Sequence, residues 1–101
     1  MLRFIVCEDK KDFLGRLCTV VNKIMMPYNF EYKISKFNSY TKEISEIIKR
    51  KNEQKVYILD IELGDVSGLE IASQIREDDL DSIVIFVTAY NEFKNDIFYS
   101  R

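Results

Sequence analysis

The chain has 101 residues, 47% of them hydrophobic, 13% aromatic and 32% charged, which are the proportions of one small folded domain. Three glycines and one proline exclude a linker-rich or disordered chain, and 15 basic against 17 acidic residues exclude a strongly basic surface for nucleic acid. Since the sequence contains no histidine to activate a thiol, Cys7 and Cys18 are interpreted as reduced core residues. No apolar stretch is long enough to span a membrane and no signal peptide opens the chain, so we expect a cytoplasmic protein.

The first half of the chain predicts two strand and helix pairs. Leu2–Cys7 is an apolar run that predicts a strand covered on both faces. A helix is expected over Lys11–Met26, because apolar residues recur there at helical spacing: Phe13, Leu14, Leu17, Val20, Val21, Ile24 and Met25. Phe30–Ser35 alternates between apolar and polar residues like an edge strand, and a polar helix follows from about Tyr40 to Lys51.

The second half repeats this order. Val56–Leu59 predicts a buried strand, and Ser67–Glu70 has the spacing of a capping box that begins a helix running to about Glu77. Ile83–Val87 is the most apolar run and predicts a central parallel strand. A last short helix is expected from the spacing of Phe93, Ile97 and Phe98.

Strands that alternate with helices predict an α/β fold, a doubly wound parallel sheet with helices on both faces. Such sheets bind ligands beyond the carboxyl ends of their strands, near a topological switch point. Polar residues stand at those ends: Glu8 and Asp9 after the first strand, Asp60 after the third, and Thr88 after the fourth. We therefore expect these four side chains to converge on one site.

Three converging carboxylates repel one another unless they take up protons or a cation. Mg²⁺ is the abundant divalent ion that prefers such oxygen ligands, and with it bound Asp60 stays ionised and competent as a nucleophile toward a phosphoryl group. The Thr88 hydroxyl and the backbone amides after Asp60 and Thr88 are candidates to hold the phosphoryl oxygens. Taken singly, Asp60 also fits a turn cap and Thr88 an ordinary strand residue, so the interpretation depends on the set.

The sequence resembles the receiver domain of two-component response regulators. The matching residues are the acidic pair Glu8 and Asp9, the "ILD" that ends on Asp60, the "GLE" of Gly68–Glu70, and the "VTA" of Val87–Ala89. The stretches "LDIELGDVSGLEIASQIR" and "IVIFVTAY" most resemble receivers of the LytTR subgroup, including accessory-gene-regulator types. The resemblance implies a flavodoxin-like (CheY-like) fold and a signalling role in transcription regulation rather than an enzyme.

The resemblance also implies a role for each site residue. Asp60 is the phosphoacceptor and Thr88 the switch hydroxyl. Mg²⁺ is bound by Glu8, Asp9 and Asp60 and by the backbone carbonyl of Glu62. Backbone groups that face the phosphoryl group are those of Ile61, Glu62 and Ala89. The implied phosphoryl donor is a sensor histidine kinase, and the implied DNA contact belongs to a LytTR-type output domain that is not in this chain.

Two departures from the receiver pattern affect these expectations. Gly64 stands where many receivers have a proline, and the fifth strand, its terminal lysine and the fifth helix are not among the 101 residues. Residues 1–101 are therefore expected to form a C-terminally incomplete receiver domain. Its last strand, Ile83–Val87, would be an exposed apolar edge, which predicts a homodimer or an exchange of elements between copies.

Two other functions remain open at this stage. A degenerate receiver would act as a protein-binding module without phosphorylation. A Mg²⁺-dependent aspartate phosphohydrolase would use Asp60 as a turnover nucleophile, although Glu62 stands where such enzymes have a second aspartate.

Overall fold

The computed structural model describes residues 1–63, 66–87 and 97–100, the last of these through the backbone. Its strands are β1 (Leu2–Cys7), β2 (Tyr32–Phe37), β3 (Gln54–Asp60), β4 (Glu62–Leu63), β5 (Val66–Ser67), β6 (Ile83–Val87) and β7 (Ile97–Ser100). Its helices are α1 (Lys11–Met25), α2 (Lys42–Lys49) and α3 (Gly68–Asp78). Within these ranges, no helix has both the length and the apolar character that crossing a membrane requires.

The main sheet has the strand order β2-β1-β3-β6-β7, and its first four strands are parallel. This is the strand order of the flavodoxin-like fold that the resemblance implies: the chain passes from β1 outward to β2 and then back across β1 to β3. The direction of winding changes between β1 and β3, which makes the carboxyl ends of these two strands the topological switch point. The short strands β4 and β5 form a separate antiparallel pair just after β3.

The sheet is covered on both faces, as a doubly wound fold requires. On one face α2 and α3 pack through five buried isoleucines, Ile44, Ile47, Ile48, Ile71 and Ile75, against Ile5, Tyr57 and Leu59 of the strands. On the other face α1 packs through Val21 and Met25 against Val6, Ile58 and Val87. Because successive strand residues point to opposite faces, the continuous apolar runs of β1, β3 and β6 supply both cores.

Two details of the predicted elements were wrong. The strand expected over Phe30–Ser35 lies two residues later, and Phe30 is exposed. Val20 and Ile24, expected on the buried stripe of α1, are 50% and 60% exposed. The apolar stripe of this helix is narrower than its composition suggests, since only one face of a surface helix can reach the core.

The chain segment Ile97–Ser100 corrects two further predictions. Ile97 and Phe98 belong to β7, an antiparallel strand beside β6, and not to a helix, while Phe93 lies outside the described residues. Without a neighbour, the outer edge of β6 would expose a row of unpaired backbone donors and acceptors. Ile97–Ser100, whose residues favour strands, forms hydrogen bonds with this edge. As a result β6 lies between β3 and β7 and is not the exposed edge of the sheet. The expected association between copies of the chain stays a prediction.

Candidate functional site

The acidic residues lie at the switch point because of the register between β1 and β3. Cys7 is the partner of Leu59 in this parallel pair, so the next residues along the two strands, Glu8 and Asp60, come side by side at the carboxyl edge. The Glu8 amide also donates to the Phe37 carbonyl at 3.0 Å, which holds Glu8 to the end of β2. The two acids are therefore fixed by the backbone of three strands.

Glu8, Asp9 and Asp60 form a tight cluster of carboxylates. One oxygen from each of them lies within 4.8 Å of the others. Glu8 is fully buried and Asp60 is only 4% exposed, whereas Asp9 is exposed. The cluster therefore consists of a buried pair of acids with a third acid at its solvent side.

The hydrogen bonds leave part of this cluster without donors. Glu8 Oε1 accepts a hydrogen bond from the Lys10 amide at 3.0 Å, and Asp60 Oδ1 accepts one from the Glu62 amide at 3.4 Å. Glu8 Oε2 is buried and makes no hydrogen bond within the part of the chain that the structure describes. A buried acceptor without a donor is costly, so this oxygen requires a proton or a cation.

The surroundings raise the pKa of both buried acids. Burial raises the pKa of Glu8 to about 8; the Lys10 amide opposes this shift, and the neighbouring carboxyls of Asp9 and Asp60 add to it. Burial is also the main reason that the pKa of Asp60 lies above its ordinary value, while the amides of Glu62 and Ile61 lower it. Closely spaced acids in a buried site thus retain a proton until a positive charge replaces it.

The cluster fits a hard divalent cation. Carboxylate oxygens are the ligands that Mg²⁺ prefers, each of the three acids contributes one to the cluster, and Glu8 also carries a buried oxygen without a donor. Sequence reasoning therefore identified three residues that the structure does bring together.

The other predicted site residues fall into two groups. Ile61 and Glu62 follow directly on Asp60; the Ile61 amide donates to the Val87 carbonyl at 3.1 Å, and the Glu62 amide points to Asp60. Thr88 and Ala89 lie outside the described residues, as does Gly64. Val87, which precedes Thr88 in the sequence, is the ladder partner of Asp60.

Sequence reasoning missed the role of Ser67 and Gly68 at this site. Ser67 was assigned only to helix capping, and its hydroxyl does accept a bond from the Leu69 amide at 3.1 Å, although the capping-box pattern predicts the amide of Glu70. The same hydroxyl donates to the Ile61 carbonyl at 3.2 Å.

A Cβ atom added to Gly68 would lie 2.1 Å from the Asp60 carbonyl oxygen. The signal was the Ser-Gly pair at the start of the helix, because glycine permits a close approach between backbones.

The raised pKa of Glu8 predicts how stability depends on pH without metal. The folded protein holds a proton on Glu8 up to about pH 8, whereas the unfolded chain releases it near the ordinary value of 4.5. Unfolding therefore releases a proton between these values, and the free energy of unfolding falls as pH rises, by on the order of 1 kcal/mol per pH unit. We expect Glu8→Gln to remove most of this slope in urea titrations with EDTA at pH 5 to 8.

The control for this measurement is Glu43→Gln, which changes an exposed carboxyl of α2. It should leave the slope of the parent protein in place. A slope that is the same in Glu8→Gln and in the parent would contradict the account of the buried acid.

Comparison with known proteins identifies the class to which this fold and site belong. The profile of the response regulator receiver domain matches residues 4–98, so the chain belongs to this family. Receiver domains are signalling proteins, generally not enzymes in the ordinary sense. The resemblance inferred from the acidic pair, "ILD" and "VTA" is thereby confirmed.

The chain is also homologous to a particular LytTR-type regulator. The accessory gene regulator protein A of Staphylococcus aureus is 28% identical over 92 residues, which cover 90% of this chain and 39% of that protein. The accessory gene regulator protein A of Staphylococcus epidermidis matches at the same identity and coverage. The chain thus spans well under half the length of these curated relatives.

A solved structure gives the same classification. The response regulator TrrA of Thermotoga maritima, solved in complex with Mg²⁺-BeF, is 28% identical and superimposes with a TM-score of 0.62 over 95% of this chain and 76% of that chain. TrrA has also been solved in complex with the histidine kinase ThkA, where it is 26% identical with a TM-score of 0.59.

Proposed function

We propose that the chain is a phosphorylation-controlled switch in which Asp60 accepts a phosphoryl group from a sensor histidine kinase in the presence of Mg²⁺. The observation that supports this most strongly is the cluster of Glu8, Asp9 and Asp60, whose carboxylate oxygens lie within 4.8 Å of one another. These three carboxylates and the backbone carbonyl of Glu62 would hold the metal. When bound, Mg²⁺ supplies the positive charge that keeps Asp60 ionised and that offsets charge on the phosphoryl oxygens.

The residues of the chain would divide the remaining work. An Asp60 carboxylate oxygen attacks phosphorus, forming an acyl phosphate, while the bond from phosphorus to the donor breaks and its electron pair leaves with the donor. The backbone amides of Glu62 and Ala89 face the phosphoryl oxygens, while the Ile61 amide stays bonded to the Val87 carbonyl. The Thr88 hydroxyl moves toward the product as the switch. Since the chain contains no histidine, the phosphohistidine that donates the group belongs to a partner.

The complex of TrrA with ThkA supports a histidine kinase as that partner. Because the S. aureus relative extends well beyond the matched region, we propose that residues 1–101 are the receiver domain of a longer transcription regulator with a DNA-binding output domain. Phosphorylation would then act by shifting a two-state equilibrium of the receiver, including its association with a second copy.

Incubation with acetyl phosphate and Mg²⁺, followed by intact mass measurement, tests the proposal. The parent chain should gain one phosphate, and Asp60→Asn should gain none, because the amide cannot act as the nucleophile. Removal of Mg²⁺ with EDTA should abolish the gain in the parent, since no cation would then offset the negative charge of the acidic cluster and of the incoming phosphoryl oxygens.

The matched control is Asp12→Asn, which removes an exposed acid in the first turn of α1, outside the cluster. It should gain phosphate as the parent does. An equal gain of phosphate in Asp60→Asn would contradict the assignment of Asp60 as the phosphoacceptor. No gain in the parent would favour a binding module that works without phosphorylation.

A further inference from the structure

We propose that Ser67 and Gly68 are positioning residues, which orient the peptide between Ile61 and Glu62 so that its N–H points at the Asp60 carboxylate. The inference rests on the proposed function, because it assigns these residues a role in phosphoryl transfer. It goes beyond helix capping, the role that the sequence alone predicts for Ser67.

Two donors hold the carbonyl end of this peptide. The Ile61 carbonyl oxygen accepts a bond from the Gly68 amide at 2.7 Å and another from the Ser67 hydroxyl at 3.2 Å. The Ser67 oxygen in turn accepts from the Leu69 amide at 3.1 Å, in the first turn of α3. One serine therefore ties the loop after Asp60 to the start of a helix that is packed on the sheet.

The planarity of the peptide transmits this restraint to the other side. In a trans peptide the C=O and N–H groups point in opposite directions, so fixing the Ile61 carbonyl also fixes the Glu62 N–H. That N–H is directed at Asp60 Oδ1, at 3.4 Å. The preceding amide, of Ile61, is held by the Val87 carbonyl at 3.1 Å. The peptide is therefore restrained at both ends.

The close approach of α3 depends on the absence of a side chain at Gly68. A Cβ there would lie 2.1 Å from the Asp60 carbonyl oxygen and 3.3 Å from the Ile61 Cα, both of them backbone atoms. Only glycine lets the Gly68 amide come within 2.7 Å of the Ile61 carbonyl without displacing Asp60.

This arrangement prepares a donor before the reaction. A backbone N–H that already points at the place where negative charge gathers needs no reorientation when the phosphoryl group arrives. Loss of the Ser67 hydroxyl would leave the Ile61 carbonyl with one donor and allow the peptide to rotate. Phosphorylation of Asp60 should then become slower, although Asp60 itself is unchanged.

The test compares Ser67→Ala with Ser67→Thr and with Ser82→Ala in the full chain. Ser82 is the matched control, because its hydroxyl also donates to a main-chain carbonyl, that of Asp79 at 2.8 Å, but beyond the other end of α3. Two quantities are measured: the rate of phosphate uptake from acetyl phosphate at saturating Mg²⁺, and the hydrogen-exchange rate of the Glu62 amide.

We expect Ser67→Ala to slow phosphate uptake about 2- to 10-fold, the factor that one ordinary hydrogen bond corresponds to, and to accelerate exchange of the Glu62 amide. Ser67→Thr should restore both rates, and Ser82→Ala should change neither. The proposal is overturned if Ser67→Ala matches the parent in both rates, or if Ser82→Ala slows uptake equally.

The experiment distinguishes failure of the proposed function from failure of the positioning role. If the parent chain takes up no phosphate, the proposed function fails, and the exchange rate of the Glu62 amide then decides the positioning role. Faster exchange in Ser67→Ala alone would support that role, and unchanged exchange would overturn it.

Discussion

Gly68→Ala should destabilise the fold by about 3 kcal/mol, near the upper end of the range for overpacking a buried position. The new Cβ would lie 2.1 Å from the Asp60 carbonyl oxygen and 3.0 Å from the Asp60 carbonyl carbon. These atoms belong to the backbone and have no rotamer by which to move away. Either α3 retreats from the sheet or the end of β3 shifts, and the free energy of unfolding in urea measures the cost.

Gly15→Ala is the matched control for this substitution. Gly15 lies inside α1, and a Cβ added there would meet nothing within 4 Å. Because alanine loses less backbone entropy than glycine in a helix, this variant should be more stable than the parent by about 0.5–1 kcal/mol. Equal and small effects of the two substitutions would contradict the close approach of α3 to the phosphoacceptor.

Lys55→Met should lower the free energy of unfolding by about 3–5 kcal/mol, the typical penalty for breaking a buried ion pair. The Lys55 ammonium is fully buried and lies 3.1 Å from Asp79 Oδ2. It also donates to the carbonyls of Ile48, at 3.2 Å, and Arg50, at the end of α2. The Tyr57 hydroxyl donates to the same Asp79 oxygen at 3.0 Å. The substitution leaves two helix-end carbonyls and a carboxylate without their cation.

Arg50→Met is the matched control for Lys55→Met. It removes an ion pair of longer distance, 3.8 Å to Glu53, from an arginine side chain that is 52% exposed. Exposed ion pairs contribute little to stability, so we expect the free energy of unfolding to fall by no more than about 1 kcal/mol. Similar losses in the two variants, measured by urea unfolding, would show that Lys55 does not bridge α2 and α3 as its contacts indicate.

The sequence predicts most of the parallel sheet because its inner strands are buried on both faces. Leu2–Cys7 and Ile83–Val87 were located with the bounds that the structure has, since a continuous apolar run is typical of such strands. The acidic cluster was also predictable. Parallel strands end at one edge, so the residues that follow Cys7 and Leu59 had to meet there once the two strands were paired.

Other features depend on contacts that a linear pattern does not contain. Ile97 and Phe98 were assigned to a helix because the spacing of apolar residues in a short segment fits a helix as well as a strand. Pairing with β6 makes this segment a strand. Lys55 is buried because Asp79, 24 residues later, pairs with it across the fold. The close approach of Gly68 to Asp60 could not be predicted either, because it is made between two backbone segments and no pattern of side chains marks it.

The central claim is that Asp60 carries the phosphoryl group, and reductive trapping tests it most directly. Borohydride reduces an acyl phosphate to an alcohol with release of phosphate, so a phosphorylated aspartate becomes homoserine, which peptide sequencing by mass spectrometry locates. After incubation with acetyl phosphate and Mg²⁺, homoserine is predicted at position 60 and at neither Asp9 nor Asp12. Homoserine at another position, or none in a chain that has gained phosphate, would contradict the account.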